Sequence, residues 1–280
     1  MNATNATSTA PQTQYLRLPG GTLAFDDTPG TGGGAPVLLL PGMLQDRALF
    51  RHLRPLLAAA GHRVITMDLR GWGESSIDWD DYSPASAAAD AIALLDHLKI
   101  DKAVLVGHSY CGASVVRVAA DAPERVAGIV LMNAFIEKVP ATAFEKAMVK
   151  TLGSAVLAFP KVWGYYLNKV AYPGGVTEEI AAYNAGLVAD LRTPGRRKAT
   201  RGQVFGDSAP IGWSTGVNVP TLVVMGSKDP DFPDPELVAG RQVAALNGRK
   251  VMIDGAGHYP QAQFPQATAD ALLPFLKEVA

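Results

Sequence analysis

The chain carries one cysteine, Cys111, in 280 residues. It therefore has no intrachain disulfide and no cysteine-built metal site. It has almost no net charge: 25 Lys and Arg stand against 26 Asp and Glu, a formal −1 at pH 7. That balance argues against nucleic acid or an anionic membrane as the main partner. No apolar run is long enough to span a bilayer, so no transmembrane helix is expected. Met1 to Gln14 have neither a basic start nor an apolar stretch, so no secretory signal is expected either. The triplets Asn2-Ala3-Thr4 and Asn5-Ala6-Thr7 match a glycosylation acceptor, a match with little meaning without export. The glycine-rich run Pro29 to Ala35 is not a phosphate loop, because no Gly-Lys-Ser/Thr follows and the glycines precede a strand. These absences point to a cytoplasmic protein whose partner is a small molecule.

What is present is enough apolar sequence, 48% of residues, to bury a full core. Residues 1–13 are rich in Asn, Thr and Ser and are expected to be disordered. Tyr15 to Leu18 and Thr22 to Phe25 read as a hairpin around Gly20-Gly21. Val37 to Leu40, Val64 to Met67, Val104 to Val106, Val126 to Leu131, Thr221 to Met225 and Lys250 to Ile253 read as strands. Helices are expected over Arg47 to Ala60, Ser83-Pro84 to about Leu98, Gly112 to Val118, Pro235 to Leu246, and from the last strand to the C-terminus. Pro274 predicts a kink or early end in that last helix. Strands alternating with helices argue for an α/β fold, a mostly parallel central sheet with helices on both faces. The alternation fails over 135–216, where helical segments rich in aromatics (Phe144, Phe159, Trp163, Tyr165, Tyr166, Tyr172, Trp213) replace it. The expected organisation is one α/β core, 14–134 with 217–280, interrupted by a helical insertion over 135–216.

The chemistry concentrates at Val104-Leu105-Val106-Gly107-His108-Ser109-Tyr110-Cys111-Gly112-Ala113. A β-branched run stops at a glycine, a serine follows two residues later, and a small-residue helical run comes next. A serine hydroxyl is a weak nucleophile unless a base takes its proton and backbone N–H groups hold the oxyanion, and a tight strand-to-helix turn offers both. Of the five histidines, His52, His62 and His97 sit in or near helices and strand starts. His108 points to the opposite face from its neighbour Ser109. His258, in the loop Asp254-Gly255-Ala256-Gly257-His258-Tyr259-Pro260, lies where functional residues of parallel sheets collect. For the orienting acid, Asp229 is the first candidate, Asp231 the second and Asp254 the third. Each also reads as an ordinary turn residue.

These segments together resemble the α/β-hydrolase fold superfamily over nearly the whole length after residue 14. The resemblance rests on Pro41-Gly42-Met43, Asp68-x-Arg70-Gly71-x-Gly73-x-Ser75, Gly107-x-Ser109, Gly226-x-x-Asp229 and Gly255-x-Gly257-His258-x-Pro260, in that order. It implies that Ser109, Asp229 and His258 form a catalytic triad, that Met43 and Tyr110 supply oxyanion N–H groups, and that 135–216 is a cap over the pocket. No metal or organic cofactor is implied. Two positions depart from the family pattern. Pro41 stands where many relatives carry histidine, and Cys111 replaces a glycine, read here as a small buried helix residue. Serine at 109 points away from haloalkane dehalogenases and epoxide hydrolases, which resemble this fold but use aspartate there. The expected reaction is acyl transfer from an ester, lactone or thioester to water through an acyl-enzyme on Ser109. Phe135, Trp163 and Tyr166 are the candidate pocket residues for an apolar part of the substrate. The basic run Arg192, Arg196, Arg197, Lys198 and Arg201 reads as a solvated face, with attraction of a substrate carboxylate as the second reading. The rival readings are a low-turnover small-molecule receptor on the same fold, and a cofactor-free perhydrolase, lyase or oxygenase.

Overall fold

The structure is a computed structural model that describes residues 12–137, 143–206 and 209–280. The expected disorder of the N-terminal tail, as far as residue 11, and the side chain of Phe144 lie outside what it describes.

The chain opens with β1 (Gln14–Leu18) and β2 (Gly21–Thr28), paired antiparallel as a hairpin. Then follow β3 (Val37–Leu40), α1 (Leu53–Ala59), β4 (Val64–Met67) and α2 (Pro84–His97). The centre of the molecule is β5 (Ala103–His108), α3 (Cys111–Asp121) and β6 (Val126–Met132). Four helices come next: α4 (Ala143–Ala158), α5 (Pro160–Lys169), α6 (Glu178–Asp190) and α7 (Arg196–Phe205). The chain ends with β7 (Thr221–Gly226), α8 (Pro235–Leu246), β8 (Arg249–Ile253), the short α9 (Pro260–Gln263) and α10 (Pro265–Glu278). The strands form one eight-stranded sheet in the order β1-β2-β4-β3-β5-β6-β7-β8. It is antiparallel only at the β1–β2 and β2–β4 edge and parallel elsewhere.

The parallel strands are buried on both faces, so their sequences are continuous apolar runs. Alternate residues serve opposite faces. Leu38, Leu40, Leu105, Leu131 and Val223 join the core beneath α2, α3 and α8. Val37, Leu39, Val104, Val106, Val130 and Val224 join the core beneath α1 and α10. Ser83 caps α2 as its composition predicts, its hydroxyl accepting from the Ser86 N–H at 3.2 Å.

Two elements differ from expectation. The helix expected over Arg47 to Ala60 is divided into a 3-10 turn, Arg47–Phe50, and α1. Pro55, near the start of α1, has no N–H to bond the carbonyl four residues back, and its ring crowds that carbonyl, so the α-helix starts just ahead of it. Pro274, by contrast, does not end α10, which runs on to Glu278. It lies on the exposed side of that helix.

Helices α4–α7 occupy the connection between β6 and β7. There α5 packs on α6, and α4 packs on both α5 and α7. The aromatics of this region do not share one role. Phe159 and Tyr165 are exposed, Tyr172 is buried, and Trp213 lies under the Arg117 guanidinium. The basic run is also divided. Arg192, Arg197, Lys198 and Arg201 are solvated, but Arg196 is buried and donates to the carbonyls of Gly71 (2.9 Å) and Gly73 (2.7 Å). Arg196 thus ties α7 to the loop after β4. No helix among the described residues is long and apolar enough to cross a membrane.

Candidate active site

Ser109 stands at the turn between β5 and α3 with φ +51, a left-handed conformation uncommon for a residue with a side chain. Its N–H donates to the Met132 carbonyl, and its own carbonyl accepts from Phe135 and Gly112. The strained turn is therefore held by the end of β6 and the residues beyond it. Two glycines permit the close approach. A Cβ on Gly107 would run into the Cys111 carbonyl, and one on Gly112 into the Ala134 side chain. Gly42 meets Ser109 from the other side: its Cβ would lie 3.1 Å from Ser109 Cβ. The glycine missing at 111 has little consequence. It is the backbone of residue 111 that faces Gly107, while the Cys111 side chain is fully buried in the core, where burial pushes its thiol up to about 12.

The sheet topology brings two further loops to Ser109. His258, after β8, places Nε2 2.9 Å from Ser109 Oγ. Its Nδ1 lies 2.9 and 3.1 Å from the two carboxylate oxygens of Asp229, after β7. The three side chains are nearly sealed, with residue exposures of 5%, 2% and 2% for Ser109, His258 and Asp229. Asp229 hydrogen-bonds the far side of the imidazole, so that the neutral ring carries its proton on Nδ1 and turns a bare Nε2 to Ser109. Asp254 does not take part. It accepts from the Ser227 hydroxyl at the surface.

Asp231 is drawn into the site in a different way. Its Oδ2 lies 3.4 Å from His258 Nε2, the nitrogen that faces Ser109, and its Oδ1 accepts from the Tyr166 hydroxyl at 2.7 Å. Its own N–H donates to Asp229 Oδ1, which locks the Asp-Pro-Asp turn. Burial pushes His258 down, but the carboxylates of Asp231 and Asp229 outweigh it and raise the imidazole to about 9. Burial acts to raise Asp229, yet the imidazole, with donation from Asn133 and the Asp231 N–H, holds it below its ordinary value.

Sequence reasoning missed the layer behind Ser109, His258 and Asp229. Asn133, just past β6 with φ +47, donates from Nδ2 to Asp229 Oδ2 (2.6 Å) and to the Gly257 carbonyl (3.1 Å). A lone amide directly after a wholly apolar strand, at the sheet end that carries Ser109, was the available signal. His108 donates from Nε2 to the His258 carbonyl at 2.8 Å, and burial pushes it down to about 3, so it is a neutral buttress of the histidine loop.

The helical insertion also reaches the site. The His258 N–H donates to the Ala171 carbonyl (3.0 Å), and a Cβ on Gly257 would collide with that same carbonyl. The Gln263 amide bridges the Gly257 N–H and the Pro173 carbonyl. On the other side, Gln203 of α7 accepts from the Leu44 N–H at 3.2 Å. That bond fixes the turn carrying Met43, since Leu44 itself sits at φ +59. Neither the Met43 nor the Tyr110 N–H donates to an acceptor among the described residues.

Of the pocket candidates, Phe135 is 6.3 Å from the His258 ring between centroids and packs on Phe232. Tyr166 reaches the site through Asp231. Trp163 stacks on Tyr166 at 4.9 Å, and Tyr166 in turn donates to Asp231. Asp229, Asp231 and His258 are the one group of acids and histidines among the described residues with ligand atoms close enough, within 4.8 Å of one another, to share a cation. Both nitrogens of His258 are engaged, with Asp229 and Ser109.

A family model described as the alpha/beta hydrolase fold matches residues 35–177. The chain is 29% identical, over 89% of its length, to the dihydrolipoyllysine-residue acetyltransferase component of the acetoin cleaving system of Pseudomonas putida, and spans 65% of that relative's length. It is 27% identical to epoxide hydrolase A of Mycobacterium tuberculosis, covering 87% of this chain and 91% of that one. Among solved structures, bromoperoxidase from Bacillus anthracis superposes with a TM-score of 0.81 at 26% identity, covering 95% of this chain and all of the other.

Proposed function

The chain belongs to the alpha/beta hydrolase fold family, and from that premise we propose that it is a serine hydrolase cleaving an ester-type bond of a small, partly apolar molecule. The observation that carries this reading is the unbroken hydrogen-bonded line from Ser109 Oγ through His258 to Asp229. In the reaction, His258 Nε2 takes the hydroxyl proton as Ser109 attacks the carbonyl carbon. Asp229 holds the imidazole and stabilises the imidazolium that forms. The free N–H groups of Met43 and Tyr110 receive the developing oxyanion. Losing one such donor typically costs about 3 kcal/mol, on the order of a hundredfold or more in rate. The imidazolium returns its proton to the leaving oxygen, and water, activated by the same nitrogen, then cleaves the acyl-enzyme. The serine supports an acyl-enzyme in particular, even though one of the relatives is named an epoxide hydrolase. In this reading helices α4–α7 act as the cap over the pocket.

The test is intact mass after incubation with a fluorophosphonate. One adduct is expected on the wild type and none on Ser109→Ala. A folded wild-type protein that takes up no adduct would overturn the reading.

A further inference from the structure

A triad needs one carboxylate, on the Nδ1 side of its histidine. This site has a second, and it lies on the Nε2 side. Asp231 Oδ2 is 3.4 Å from the nitrogen that also meets Ser109 Oγ at 2.9 Å. The placement is held from two directions. The Tyr166 hydroxyl donates to one carboxylate oxygen, and the residue's own N–H is tied to Asp229. Unlike Asp229, the Asp231 side chain keeps about a quarter of its surface exposed. No lysine or arginine among the described residues pairs with it; its one ionic contact is His258. Aromatic rings lie nearby: Tyr166, whose hydroxyl donates to it, stacks on Trp163, and Phe135 packs on Phe232, the next residue in the chain, beside His258. A carboxylate that no lysine or arginine neutralises, beside an imidazole that must shed its own proton to act as base, and with aromatic rings nearby, is a composition that receives an organic cation.

Its position also says which part of the substrate it meets. His258 Nε2 must hand its proton to the leaving oxygen, so that oxygen comes within hydrogen-bond reach of Nε2. A group beside Nε2 therefore lies against the leaving alcohol and not the acyl chain. We propose that Asp231 is a specificity residue that binds a cationic nitrogen on the leaving group, and that the substrates are esters of amino alcohols, with the ammonium a few bonds from the ester oxygen. This inference rests on the serine hydrolase reading and names its substrate class.

The test uses two phosphonylating probes of the same shape. One carries thiocholine as leaving group and the other its uncharged isostere, 3,3-dimethylbutanethiol. The rate of Ser109 modification is read by intact mass for wild type, Asp231→Asn and Asp231→Glu. The wild type is expected to react with the cationic probe about tenfold faster or more, the range of a partly desolvated charge and cation–π contact, since a quaternary ammonium has no N–H to donate. The ratio should fall towards one in Asp231→Asn, recover in Asp231→Glu and shrink with added salt. A positioning role for Asp231 would lower both rates in Asp231→Asn and leave their ratio unchanged, which would overturn the inference. A second measurement needs no variant. Tetramethylammonium should slow labelling of the wild type by an uncharged fluorophosphonate, and tert-butanol at the same concentration should not. Equal effects of the two would also overturn it. Labelling by the fluorophosphonate with no charge preference removes only this inference. Absence of any adduct removes the hydrolase reading and this inference together.

Discussion

At the scale of residues, the site is governed by where two aspartates two positions apart point their carboxylates. In the proposed reaction His258 can take the Ser109 proton only when neutral, and its carboxylate neighbours raise it to about 9. The neutral fraction grows as pH rises, so kcat/KM for an uncharged ester is expected to climb through about pH 9 and level off above it. Asp231→Asn removes one of the raising charges and should move the inflection to lower pH. A wild-type profile already flat at pH 7 would contradict this. Asn133 acts one step further back. Asn133→Leu leaves Asp229 Oδ2 without its amide donor in a buried site, and the expected loss is on the order of tenfold in kcat/KM with little change in KM. Steady-state kinetics on the purified variant decide it. Ser109 and His258 were legible in the sequence because a backbone pattern announces each: a strand broken by glycine, and a glycine-rich loop after a strand. The place of Asp229 after the strand-ending glycine ranks it ahead of Asp231, but the contact of Asp231 with the same imidazole was not legible, because both follow the same strand. Only the turn geometry sends one to Nδ1 and the other to Nε2. Asn133 and His108 were hidden for a related reason. Their contacts depend on partners 96 to 150 residues further along the chain.

At the scale of elements, the loop after β4 shows what the Asp68 to Ser75 pattern is for. Asp68 is fully buried and receives the Arg47 N–H at 2.7 Å, the Glu74 N–H at 2.8 Å and the Arg47 guanidinium, while a Cβ on Gly73 would overlap its carboxylate. Arg47 also pairs with Asp26 at 2.9 Å. Removing one partner of such a buried group strands the others. Arg47→Ala is expected to destabilise the fold by about 3–5 kcal/mol, measured by urea unfolding. A loss below about 1 kcal/mol, the range of exposed pairs, would show that water replaces the guanidinium. At the central turn, Gly107→Ala should abolish soluble expression or Ser109 labelling, because the obstructing atom is backbone carbonyl and cannot swing aside. The strands were easy to read because double-sided burial demands continuous apolar runs. The helices were less so. Pro55 divided one expected helix and Pro274 failed to end another, since the effect of a proline depends on the carbonyl it faces, which residue type alone does not disclose.

At the scale of the whole molecule, the charge arrangement at the site sets activity against stability. A protonated His258 between two carboxylates favours the folded state. Because its folded value lies above the ordinary 6.5, that contribution is complete below about pH 6.5 and is lost as pH rises through about 9. The pH of greatest activity is therefore one at which the fold has given up part of its stability, and thermal melts across pH 6 to 10 should fall as the rate profile rises. The single thiol offers an independent monitor. Cys111 is fully buried with its thiol pushed up to about 12, so a disulfide reagent should modify it only when the core opens, at a rate that follows global unfolding.

The contacts of the helical insertion bear on heredity more than on mechanism. Helices that merely roofed a pocket could be exchanged between lineages as freely as loops. Here the inserted segment holds the His258 loop through the Ala171 and Pro173 carbonyls, and the Met43 turn through Gln203. A chimera that receives a foreign insertion would inherit a misaligned catalytic centre unless the recipient faces of both loops travelled with it. Diversification of this scaffold should therefore proceed by point changes on the inner side of a retained insertion, with wholesale replacement confined to donors that carry the same two seams.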